Sequence, residues 1–357
     1  MKVGIVSGDY LPASSASDGV AHWGGSGWAR LGQYIEWLEH LKTEVVAGVL
    51  VWQNDLFHVR DSESVMHEVD MVIMQRLMHG SLAEHIGKAR AVGQVIINDL
   101  DDWYWGLDPS NDAFKSSHPK NNPNENRDHY KKVLASSTLV TVSTQYLADR
   151  IKSFVHCPII LLENTVDIAR FTPHVHTDSS VPVVGWVGAT SHRSSDLEIM
   201  KGIVNPLIAN NEIKFQHSGH YPTSLSVASK LGLHEDQVTV LNAVDAKEYP
   251  SLLTMDVGIA PLRDTPFNHA KSDIKLLEYS ASGIPWVGSA LSSYEGLRKN
   301  WGIGRTASKP SQWLKHLRDL RDPVRRAHEG EAVREAVRSR DISLGAHRLN
   351  SLIKDLT

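Results

Sequence analysis

Short runs of aliphatic and β-branched residues alternate along this chain with longer segments whose apolar positions recur at helical spacing. In the first half the runs are "KVGIVS" (2–7), "EVVAGVLV" (44–51), "DMVIMQ" (70–75), "QVIIND" (94–99), "TLVTVS" (138–143) and "PIILLE" (158–163). They have the length of strands and little apolar-polar alternation, so both faces are expected to be covered. Strands of this kind separated by helices predict α/β architecture, a doubly wound parallel sheet.

The series begins again after "TPHVHTDSSVP" (172–182), with "VPVVGWVG", "IKFQHSG", "QVTVLNAV", "DVGIAPL" and "IPWVGS". The connector lacks apolar periodicity and carries proline near both ends, which marks a domain boundary. The expected domains are 1–176 and 177–339. The last stretch, from Pro310, is helical in period and rich in arginine, with Pro323 and Gly345 as expected breaks.

Length agrees with two domains, because 357 residues exceed the size at which single cores stop growing, roughly 250–300 residues. A composition of 41% hydrophobic and 22% charged residues rules out a disordered or fibrous chain. The net charge of -4 gives no field that would gather nucleic acid or an anionic membrane, so nucleic acid is not an expected partner. Cys157 is the only cysteine, which excludes an intramolecular disulfide framework and a cysteine-based zinc cluster and fits a reducing, cytoplasmic setting. The start "MKVGIVSGDYLP" is unlike a secretory signal, and no run approaches the ~18 apolar residues of a membrane span.

In open α/β sheets, ligands bind where loops leave the carboxyl ends of strands and feed helix starts. Four such loops carry chemistry. In "HWGGSGWARLGQYIEWL" (22–38), Gly24, Gly25 and Gly27 precede a helix with Leu31, Ile35 and Leu38 on one face. Glycines admit a ligand close to backbone N–H groups, yet the spacing is neither a dinucleotide fingerprint nor a P-loop. In "NDLDDWYWG" (98–106), Asp99, Asp101 and Asp102 are suited to hold a divalent cation, to orient an acceptor hydroxyl or to cap a helix. Trp103, Tyr104 and Trp105 beside them fit either stacking on a sugar or covering a core edge.

The third loop, in "GWVGATSHRSSDLEIM" (185–200), offers Gly188, a capping Ser194 or Ser195, and Arg193 placed to fork onto a phosphate. The fourth follows "DVGIAPL" and runs through Asn268, His269, Lys271, Ser272 and Asp273 into an amphipathic helix with Lys275 and Glu278. A lysine at a helix start suits a diphosphate, and a carboxylate two turns along suits the vicinal hydroxyls of a ribose. A surface Glu278 paired with Lys271 or Lys275 is the plainer alternative. His217 and His220 lack an evident third metal ligand, and His22, His192 and His269 lie within the loops just described.

The segments "VTVSTQYLADR" (140–150), "GWVGATSHRSSDLE" (185–198) and "DVGIAPLRDTPFNHAKSDIKLLEYSASGIP" (256–285), in this order, resemble GT-B fold glycosyltransferases. The likeness is to the retaining, family-4-like group, and within it to a subset associated with phage and bacterial genomes. The resemblance implies two Rossmann-like domains facing across a cleft, an acceptor domain first and a nucleotide-sugar domain second, with a final helix, 340–357, crossing back to the first. It implies a UDP- or GDP-sugar donor, no metal cofactor, and a protein, glycan, lipid or small molecule as acceptor. By motif, Arg193 and Lys271 match the diphosphate pair and Glu278 the ribose-binding second glutamate of a Glu-x7-Glu motif. Gly25 would lie under the phosphates, and Asn242, Ala243 and Val244 would flank the base. The first glutamate is replaced by Ala270, which leaves Asn268 or His269 to meet the transferred sugar. Asp101 or Asp102 is the expected acceptor-side base or orienter. The alternatives are a metal-dependent transferase built on Asp99 and Asp101, a silent nucleotide-sugar-binding protein, and a DNA-modifying glucosyltransferase, which the absence of a basic stripe disfavours.

Overall fold

The computed structural model describes residues 1–109, 111–190, 194–222 and 224–356, without the side chains of 112, 194 and 195. The chain divides into two compact units, Met1–Thr165 with Ile342–Thr357, and Val166–Asp341.

The first unit is built on a parallel sheet of β1 (Lys2–Ser7), β2 (Glu44–Ala47), β3 (Met71–Gln75), β4 (Val95–Leu100), β5 (Leu139–Val142) and β6 (Ile159–Leu161), in the order β6-β5-β4-β3-β1-β2. Each corresponds to one of the apolar runs in the first half. The run 44–51 is split, because Gly48 gives the last N–H to Ile5 and the chain then leaves for a three-stranded antiparallel sheet, 49–68. A Cβ at Gly48 would sit 2.1 Å from the Arg60 carbonyl oxygen, so only glycine turns here. That antiparallel sheet is an addition to the expected all-parallel pattern.

The second unit repeats the plan with β7 (Val183–Val187), β8 (Lys214–His220), β9 (Val238–Asn242), β10 (Val257–Ala260), β11 (Trp286–Ser289) and β12 (Arg305–Ala307), in the order β9-β8-β7-β10-β11-β12. Successive residues point to opposite faces: Trp186, Ile259 and Val287 join one apolar cluster, and Val187, Ala260 and Trp286 the other. Two buried faces explain why these strands read as continuous apolar runs.

The crossing between units falls earlier than the connector 172–182. Val166 bridges to Asp341 and Phe171 is buried in the second unit's core, so the connector lies wholly within that unit. The last helix, Ile342–Asp355, places Ile342, Ala346, Leu349 and Ile353 in the first unit's core with Val3, Ile5 and Leu38. Gly345, expected as a break, is inside this helix. A Cβ there would lie 2.7 Å from Thr165 Oγ1 and 2.8 Å from the Tyr34 hydroxyl, so the glycine permits close packing. No helix among the described residues is long and apolar enough to cross a membrane.

Candidate functional site

Each sheet has one place where strand order reverses, between β1 and β3 in the first unit and between β7 and β10 in the second. Ligand crevices form outside the carboxyl ends of strands at such points.

In the second unit, the loops after β7 and β10 are the third and fourth loops of the sequence. Arg193 and His192 lie outside the described residues. Gly188 leaves β7 with φ 151°, its N–H bonded to the Ser218 carbonyl at 2.9 Å. After β10, Thr265 caps a short helix (Pro266–His269) by accepting the Asn268 N–H. Lys271 and Ser272 follow, half-buried, and then the helix α1 (Ile274–Ala281) starts. The Lys271 ammonium lies 4.4 Å from the centre of the Phe267 ring.

Glu278 is half-buried and accepts the Tyr249 hydroxyl at 2.8 Å on Oε2. The expected ion pair along the helix has a different outcome: Lys275 is buried and donates to the Val187 carbonyl at the end of β7. Both oxygens of Asp273 accept from the Arg340 guanidinium at 3.0 Å. The Asn268 amide is likewise committed, to Asp196 at 2.7 Å, and His269 bonds Ser292 and Asp264, both at 2.8 Å. Ala270 is fully buried, so no side chain reaches out from the first-glutamate position. Asn242 ends the edge strand β9 and Ala243 and Val244 follow it, with Asn242 and Val244 exposed.

Beneath this point, His217 on β8 is fully buried, stacks on Trp186 and donates from Nε2 to the Gly188 carbonyl at 2.9 Å. Burial, with His220 and Lys275 nearby, lowers its pKa from 6.5 to about 4. An unfolded chain takes up this proton near 6.5, so between these values the unfolded state binds more protons and stability falls as pH falls. The loss from pH 7 to 4 is about 3 kcal/mol from this group. Urea midpoints at pH 7 and 4.5 check it: His217→Gln should flatten the dependence, and an unchanged slope would discount His217.

In the first unit, the glycine loop has a resident anion. The Asp9 carboxylate accepts the Gly27 N–H at 2.9 Å, and a Cβ at Gly24 would lie 2.5 Å from it. Gly24 therefore admits the chain's own carboxylate, while Gly25 faces open space. Asp99 and Asp101 have different arginine partners. Asp99 is buried and accepts from Arg30 on both oxygens, at 2.6 and 2.9 Å, and from Thr141 at 2.7 Å. That pairing occupies both Asp99 oxygens within the protein.

Asp101 and Asp102 converge instead on Arg76, a residue sequence reasoning passed over. Its guanidinium donates to both oxygens of Asp101, to Asp102 at 3.0 Å and to Ser26 at 2.9 Å, with Asp9 at 3.7 Å. Burial opposes its charge, but Asp101, Tyr104 and Asp102 outweigh this and hold its pKa well above the ordinary value. Arg76 follows β3 with φ 58°, a strained conformation for a side chain of this size, held by the surrounding carboxylates. Its only signal in sequence is its place at a strand end. Tyr104 and Trp105 turn inward against Tyr130, while Trp103 stays half-buried beside Trp105 at 4.8 Å.

No protein-family model and no curated protein sequence matches this chain. Solved structures do. Sucrose-phosphate synthase from Thermosynechococcus elongatus aligns over 100% of this chain and 99% of its own, with TM-score 0.67 and 13% identity. A glycosyltransferase from Rickettsia africae aligns over 99% and 98%, with TM-score 0.66 and 12% identity. Anabaena HepE, solved in complex with UDP and glucose, aligns over 99% and 100%, with TM-score 0.64 and 12% identity. The fold is that of the GT-B glycosyltransferases, two Rossmann-like α/β units.

Proposed function

We propose that this chain is a glycosyltransferase that moves a sugar from a UDP- or GDP-sugar to an acceptor, with retention at the anomeric carbon and without a metal. The observation that carries the reading is the β7–β10 switch point, where Lys271 stands three residues before α1 and Glu278 lies about one turn into it. Full-length likeness to a fold whose Anabaena representative was solved with UDP and glucose supports a nucleotide-sugar donor. Lys271 and Arg193 neutralise the charge that builds on the departing diphosphate, helped by helix N–H groups. Glu278, with Oε2 held by Tyr249, accepts from ribose hydroxyls, and 242–244 flank the base. In the first unit, Asp101 and Asp102 orient the acceptor hydroxyl through their shared Arg76. The commitment of Asp99 to Arg30 supports the metal-free reading. A cytoplasmic protein acting on a protein, glycan, lipid or small molecule is the corresponding cellular role.

The buried Ala270 favours one second reading, a protein that binds the nucleotide sugar without transferring it. Thermal-shift screening against UDP-, GDP- and TDP-sugars tests both. A donor at 100 times its Kd adds about 2.7 kcal/mol, and the shift should survive EDTA. Release of nucleoside diphosphate from that donor separates transferase from silent binder. Absence of any shift at millimolar ligand would sink both readings.

A further inference from the structure

The connector 172–182 brings two histidines onto the second unit's sheet. His174 Nε2 lies 3.2 Å from Asp256 Oδ1, and Asp256 Oδ2 accepts the Val183 N–H at 2.8 Å. The His174 and His176 rings stand 4.9 Å apart, nearly perpendicular. His176 Nε2 donates to the Gly283 carbonyl at 2.9 Å, which leaves the lone pair on Nδ1. That Nδ1 is buried and has no partner among the described residues. One ring nitrogen tied to a carbonyl and the other left bare is how a metal-binding histidine is oriented.

The His176 ring is also seated by a missing side chain. Gly330 lies within the helix α2 (Pro323–Ala336), and a Cβ there would sit 2.3 Å from the Gly283 carbonyl oxygen and 2.4 Å from His176 Nε2, so the glycine makes room for this carbonyl and the imidazole that bonds it. Glycine inside a helix costs about 1 kcal/mol relative to alanine. The helix gives up that propensity where the imidazole packs.

We propose that His174, His176 and Asp256 bind a zinc-class divalent cation that pins the connector to the base of β10. One ligand-capable atom from each lies within 4.8 Å of the others. Ligand atoms about 2.0–2.2 Å from tetrahedral zinc stand about 3.3–3.6 Å apart, and the His174–Asp256 pair is at 3.2 Å. His176 has to close from within the same 4.8 Å to ligand distance when the ion binds. Two imidazoles and one carboxylate suit zinc, cobalt or nickel, whereas magnesium and calcium require mainly oxygen ligands. Both histidines are half-buried, and water would supply the fourth position. Arg326 lies close enough for its charge to be felt by His176 and Asp256. It donates to the carbonyls of Leu320, Arg321, Thr177 and Ser179, and its charge holds the affinity below that of a closed four-ligand site. This assignment is independent of the transferase reading.

The test is titration of the tag-free, chelator-stripped full chain with cobalt(II). One equivalent should bind, give the visible absorption of a four- or five-coordinate ion, and be displaced by zinc. Zinc should raise the unfolding temperature of the stripped protein. His176→Ala and Asp256→Asn should each weaken cobalt binding at least ~10-fold, with circular dichroism of the metal-free variants confirming the fold. His118→Ala, in the other unit, should bind as wild type. Binding that persists in both ligand variants, or a wild-type chain that takes up no cobalt at about 100 µM, overturns the assignment. Should a variant not fold, the wild-type cobalt spectrum and stoichiometry still decide it.

Discussion

Lys271→Ala is expected to lower the rate of sugar release from the donor by about 10²–10³, or about 2.7–4 kcal/mol of transition-state stabilisation. The expectation follows from where the ammonium stands. It is half-buried before the amino end of α1, on the loop that leaves β10 at the reversal of strand order. Negative charge grows on the departing diphosphate as the glycosidic bond breaks, so a fixed cation there acts more on the transition state than on the bound donor. The loss should therefore appear mainly in kcat, with donor affinity by calorimetry changing less. Circular dichroism should match wild type, because the ammonium packs on Phe267 and not in the core. A variant that releases sugar at the wild-type rate would remove Lys271 from the mechanism and leave binding as its only role. Glu278→Gln should separate from it, weakening nucleotide affinity while a nucleotide lacking the ribose diol binds both forms alike.

Asp99→Asn is expected to destabilise the first unit by about 3–5 kcal/mol, because removing one member of a buried ion pair strands the other charge. Arg30 and Asp99 are each 1% exposed and joined by two hydrogen bonds. Arg30 is further tied to the Leu162 carbonyl and Asn164 Oδ1, both at 2.6 Å, so the pair links α-helical, β4 and post-β6 segments. Urea unfolding followed in the first unit measures the loss. The double replacement Arg30→Met with Asp99→Leu should cost much less, since it removes both charges together. If Asp99 were instead a cation ligand, Asp99→Asn would be tolerated by the fold and would act only in the presence of metal.

Most of the strand layout was legible because a strand covered on both faces needs an unbroken apolar run, and such runs are local. "DVGIAPL" and "IPWVGS" show it: they became β10 and β11. The helix carrying Lys275 and Glu278 was legible for the same reason, from apolar spacing at Ile274 and Leu277. Where the reading failed, the missing information was a distant partner. Gly345 read as a break because its contacts, Thr165 and Tyr34, lie far away in sequence. Gly24 read as a ligand cradle, yet the carboxylate it admits belongs to Asp9.

Read from sequence alone, then, were two α/β series, the absence of a cysteine framework, and four strand-end loops of which the β10 loop carried a motif. Tertiary structure decided which partners their polar groups take. Asp99 faces an arginine 69 positions earlier, Asp273 an arginine 67 positions later, and Asp101 and Asp102 the unforeseen Arg76. Apolar periodicity is a property of neighbours along the chain, whereas the partner that neutralises a carboxylate is set by strand order and loop closure.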